Sequence, residues 1–85
     1  MIFLIEYNRR EGKLVTFRSF EGRQREQAAA LRLQLELDLH RCNIDHEVVL
    51  LEAESEQALR VTHRRYFEDL RQLLQSAGAR SAGSR

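Results

Sequence analysis

The sequence predicts a two-layer α+β fold of order β-β-α-β-α: a three-stranded, mainly antiparallel sheet, strand order 2-1-3, with two helices on one face. Three observations lead there. Two short runs, IFLI at 2–5 and VVLL at 48–51, are apolar at both parities, as in strands that are central or covered on both sides. Asn8-Arg9-Arg10-Glu11-Gly12 has turn chemistry and sits between two strand-like segments, which makes a hairpin. The stretch 27–42, QAAALRLQLELDLHRC, is too long for a strand and is built of helix formers, with no Val, Ile or Thr.

The first strand covers residues 2–7. Gly12 closes the turn with a positive φ, and the second strand runs from 13 to 20, with Val15 and Phe17 on one side and Leu14, Thr16, Arg18 and Phe20 on the other. Its mixed polarity marks an edge.

The long helix follows a break at Glu21-Gly22. Its leucines alternate, which by period alone reads as a strand; residue type decides for a helix. At about 100° per residue, Ala28, Leu31, Leu35, Leu39 and Cys42 form one stripe, and Ala30, Leu33 and Leu37 a second on nearly the opposite side. The first stripe should face the sheet; the second needs another partner. No Ser, Thr, Asp or Asn opens the helix, so Gly22 is the expected N-cap. At the other end Asn43 suits the left-handed conformation, with Ile44 folding back on Leu39 or His40 in a Schellman motif.

The third strand spans 46–52. Ser55 caps a second helix over 56–75, whose core stripe is Leu59, Thr62, Tyr66, Leu70 and Leu73, widened by Phe67 and Leu74; Arg64–Glu68 and Arg65–Asp69 are spaced for surface pairs. Residues 1–76 form the single domain, and 77–85, small residues with Gly, Ser and Arg, read as a disordered tail. With both helices on one face, the other face stays bare and the third strand is an open apolar edge. Self-association resolves both, so a homodimer is expected, with Leu33, Leu37, Val49 and Leu51 as interface residues.

The chain has 85 residues, a net charge of +1, one cysteine and no proline, values of an ordinary globular domain. No apolar run reaches the roughly 18 residues of a membrane span, and residues 1–7 lack the features of a signal peptide. A lone Cys42 suits a reducing compartment, and a cytoplasmic location is expected.

Candidate chemistry is sparse. His40, Cys42 and His46 are zinc-type ligands within seven residues, but their spacing matches no common structural zinc pattern, and a thiol at a helix C-terminus is disfavoured as a thiolate. Arg60, Arg64 and Arg71 share one helix face and form a candidate anion-binding patch; Glu68, Asp69 and the near-zero net charge weigh against nucleic acid. A glycine-rich phosphate loop is absent from the sequence, and Cys42 with its neighbouring histidines is a Cys/His nucleophile pair in residue type only, because the negative end of the helix dipole opposes the thiolate. The reading is a non-enzymatic protein-interaction or assembly module acting as a homodimer, with no cofactor, no membrane contact and room for a further protein partner. Its alternatives are nucleic-acid binding through the arginines and metal binding through His40, Cys42 and His46.

Overall fold

Six consecutive residues of the first strand are buried, and that fact organises the architecture. The structure, a computed structural model, describes residues 1–68. The expected helix beyond Glu68, with Leu70, Leu73, Leu74 and Arg71, and the tail 77–85 lie outside the described residues. The strands are β1 (Ile2–Asn8), β2 (Lys13–Phe20) and β3 (Glu47–Glu52); the helices are α1 (Arg25–Arg41) and α2 (Glu56–Thr62). Short 3-10 turns occupy Gly22–Gln24 and Arg64–Tyr66. The sheet order is β2-β1-β3, with both pairings antiparallel, as the sequence predicts.

The helices do not share a face. Phe3, Ile5 and Tyr7 of β1 pack with Leu59 of α2 and with Tyr66. Ile2 and Leu4 point the other way and pack with Phe20, Ala28 of α1 and, at their margin, Leu31. The physical reason lies in β1 itself. Alternate side chains leave a strand on opposite faces, so a strand buried at every residue from Ile2 to Tyr7 needs a cover on each. A single helical layer would leave Phe3, Ile5 and Tyr7 in water. The face expected to be bare is covered by the same chain.

The hairpin turn behaves as its residues dictate. Gly12 has φ 65°, and the Asn8 side chain accepts a hydrogen bond from the Glu11 N–H at 3.1 Å. One irregularity follows it. Glu6 pairs with Thr16 but Tyr7 pairs with Leu14, so Val15 is an extra residue in β2. This bulge breaks the alternation expected from spacing alone. Leu14 joins Phe17 on the α2 side, Thr16 turns to Glu6, and Val15 is exposed.

α1 begins differently from expectation. Glu21, not Gly22, is the cap of the leading turn: its N–H donates to Oε1 of Gln24 at 2.9 Å, and its carbonyl accepts from the Gln24 N–H at 2.9 Å. Gln24 supplies the return bond of a capping box, which a search for Ser, Thr, Asp or Asn overlooks. The C-terminus matches expectation. Asn43 has φ 58°, its N–H donates to the His40 carbonyl at 3.1 Å, and the Ile44 N–H donates to the Leu39 carbonyl at 2.9 Å. Those two bonds make a Schellman motif.

α2 is capped by Ser55, whose Oγ accepts from the Ala58 N–H at 3.1 Å. The helix ends at Thr62, far short of residue 75. Val61 and Thr62 are β-branched and stiff in a helix. The Thr62 hydroxyl donates back to the Ala58 carbonyl at 3.0 Å, a bond that bends helices. His63 leaves helical space at φ −129°, ψ 51°. The expected stripe is realised in part: Leu59 and Tyr66 are buried, Phe67 is half-buried, and Thr62 is exposed.

Candidate functional site

Three surfaces carry chemistry or apolar area beyond what the fold needs. The first is the outer side of α1. The inner stripe meets the sheet, with Ala28 buried and Leu31, Leu35 and Leu39 half-buried; Cys42 is exposed and does not join it. Opposite that stripe Leu33 is 60% and Leu37 48% exposed. Ala30, also exposed, lies beside them. Two large aliphatic residues one helical turn apart, next to a small one, make a continuous apolar strip. At one end of the strip stands Glu26 and at the other His40 and Arg41, all exposed.

The second feature is buried. Glu6 is 5% exposed, the one buried charged residue among those described. Its Oε1 accepts from Oγ1 of Thr16 at 2.7 Å, and its Oε2 stands 2.6 Å from Nδ1 of His46, just before β3. The bulge at Val15 is what sets Thr16 opposite Glu6. His46 lines two adjoining depressions. One, of about 210 Å³, includes Glu36, His40 and Val48; the other, of about 300 Å³, includes Asn8, Arg9 and Arg10. Arg9 is turned to Asp45 at 3.6 Å, and Glu36 to Arg32 at 2.6 Å.

The third lies on the opposite face. Tyr66 donates to Oε2 of Glu47 at 2.5 Å, and Arg65 donates to the same carboxylate at 2.7 Å. The Arg65 guanidinium stands 4.2 Å above the Tyr66 ring centroid, and Tyr7 meets that ring edge-on at 5.3 Å. Burial, then the hydrogen bond to and charge of Glu47, push the Tyr66 phenol up to about 12. For Glu47 burial opposes ionisation, but the hydrogen bonds from Tyr66 and Arg65 and the fields of Arg65 and Arg9 outweigh it and hold the carboxyl below its ordinary range.

The residues singled out by sequence fall apart in space. Leu33 and Leu37 lie on the outside of α1, whereas Val49 and Leu51 pack against the Phe3–Leu59 cluster on the far face of the sheet. The four do not make one contact surface. His40 and His46 share a depression that Cys42 does not line, and among the described residues no three His, Cys, Asp or Glu side chains are grouped to hold a metal ion. Arg60 is paired with Glu56 at 2.8 Å and Arg64 with Glu68 at 2.9 Å, which neutralises both locally; Arg71 lies outside the described residues. Arg60 also covers the Phe67 ring at 4.5 Å. Arg65 pairs with Glu47 at 2.7 Å; Asp69, its expected partner, lies outside the described residues. Sequence reasoning missed Glu6 and Thr16. The available signal was a glutamate within an otherwise apolar central strand, the mark of a buried charge that must find partners.

Among the described residues no helix is long and apolar enough to cross a membrane. Comparison of the chain with family models, with curated proteins and with solved structures finds no match.

Proposed function

We propose that the chain is a non-enzymatic protein-interaction module that acts as a homodimer in the cytoplasm, with the outer face of α1 as its contact surface. One observation carries the reading: Leu33 and Leu37 stand exposed on the helix side that the chain's own sheet does not use. A helix that only capped the sheet would carry polar residues there. The size of the domain supports self-association. A chain of this length buries a modest share of its surface, and pairing two copies is a common way to add core. The exposed, unpaired thiol of Cys42 suits a reducing compartment.

The test is the molar mass of the full chain by light scattering and sedimentation velocity at micromolar concentration. The expected result is a dimer for the wild type and a monomer for Leu33→Asp/Leu37→Asp, with an unchanged circular dichroism spectrum. A folded wild-type monomer at 100 μM rejects the homodimer.

A further inference from the structure

We infer that the self-contact is antiparallel: α1 of one protomer lies against α1 of a second copy, with the two-fold axis close to Leu33. This inference rests on the homodimer proposed above and adds its geometry.

The occupant follows from how charge and size are distributed along the strip. At about 100° per residue, Glu26, Ala30, Leu33, Leu37 and His40 point within about 40° of one direction, with Arg41 just beside them. The order along the helix is acid, small, large, large, base. In a parallel pair Glu26 would meet Glu26 of the second copy, and the basic ends would also meet. In an antiparallel pair each Glu26 meets the partner's His40–Arg41 end, and both contacts are attractive. The same arrangement sets Ala30 against the partner's Leu37, small against large, and the two Leu33 side chains beside the axis. A two-fold contact needs a patch complementary to itself, and this strip is so in one direction only. Within its own chain Arg41 reaches Asp38 at 2.9 Å, and both groups are exposed, so the guanidinium has donors to spare for a second carboxylate.

Sheet edges offer a poorer self-contact. β2 is bulged at Val15, and antiparallel self-pairing of β3 in its central register would set Glu47 opposite Glu52 of the second copy.

Cysteine pairing tests the direction. In a Cys42→Ser background, Leu33→Cys, Ala30→Cys and Leu37→Cys are made singly in the full chain and oxidised at micromolar concentration. The expected result has three parts: Leu33→Cys links to itself, Ala30→Cys does not, and an equimolar mixture of Ala30→Cys and Leu37→Cys forms the mixed dimer. Two copies of residue 30 would be about 10 Å apart along the axis in the antiparallel pair. Self-linking of Ala30→Cys means a parallel pair, which overturns the direction and leaves the homodimer standing. Dimer mass with no link at any of the three positions places the contact elsewhere and overturns the inference. Monomer mass throughout removes the homodimer as well. Charge reversal gives an independent reading. Glu26→Arg alone and Arg41→Glu alone each weaken the dimer roughly tenfold, through two symmetric repulsions per dimer. The double reversal restores affinity, as does mixing the two single variants. Absence of restoration overturns the pairing of those ends.

Discussion

Nδ1 of His46 stands 2.6 Å from Oε2 of Glu6, joining the residue before β3 to a buried carboxylate of the central strand. Thr16 satisfies the other oxygen, so both carboxylate oxygens have partners. Breaking such a cluster from one side strands a buried polar group. We expect Glu6→Ala and His46→Ala each to cost about 3 kcal/mol in urea unfolding. The double variant should cost at least about 1 kcal/mol less than the sum. Additive losses would mean that the pair is not coupled.

The phenol of Tyr66 gives a test at high pH. Its ionisation is raised from 10.0 to about 12 in the folded chain, chiefly by burial and then by Glu47. A raised value means stability that is fully present below pH 10 and lost as pH climbs towards 12. Tyr66→Phe keeps the ring but removes the hydroxyl, so the slope of melting temperature against pH over that interval should flatten. At neutral pH the variant should lose about 1 kcal/mol for the missing hydrogen bond.

Glu47 gives the acid counterpart. Its value lies below the ordinary 4.5, so its contribution is present above that pH and lost as pH falls through the lowered folded value. Glu47→Gln should therefore show a shallower acid-side loss of melting temperature than the wild type. An identical profile would place the acid sensitivity elsewhere.

Asn43 holds the left-handed position of the Schellman motif at φ 58°. Glycine meets no steric penalty there, whereas a β-branched residue does. Asn43→Gly should be neutral or slightly stabilising, and Asn43→Val should cost about 1–2 kcal/mol, both read from denaturant midpoints.

Leu59 is the buried anchor of α2 against Phe3 and Ile5. Leu59→Ala should cost about 3 kcal/mol by opening a cavity beneath the sheet. Ser55→Ala should cost about 1 kcal/mol through loss of the helix cap. Similar losses for the two would mean that α2 is held by its cap as much as by its packing.

Most local decisions in this chain can be read from residue type. The positive φ of Gly12 and Asn43, the Ser55 cap, the strand order and the helical identity of the leucine stretch follow from backbone sterics, short-range hydrogen bonding and connection rules, all of which act over a few neighbours or one chain reversal. The two stripes of α1 were legible for the same reason: helix geometry is local. The Glu6 cluster was not, because Glu6 and His46 are 40 positions apart and the bulge that brings Thr16 into line leaves no mark in spacing.

The sequence alone determined the kinds of element, their order and, for β1, that both faces had to be buried. The tertiary structure alone decided what buries them. β1 could be satisfied by one helical layer and a second subunit, or by one helix on each side; packing Leu59 and Tyr66 against Phe3, Ile5 and Tyr7 chose the latter. That choice reassigned Val49 and Leu51 to the chain's own core and left Leu33 and Leu37 exposed. The physical reason is that burial is not directional. Apolar patterning states that a face must leave water, and only the three-dimensional competition between possible covers states which one takes it.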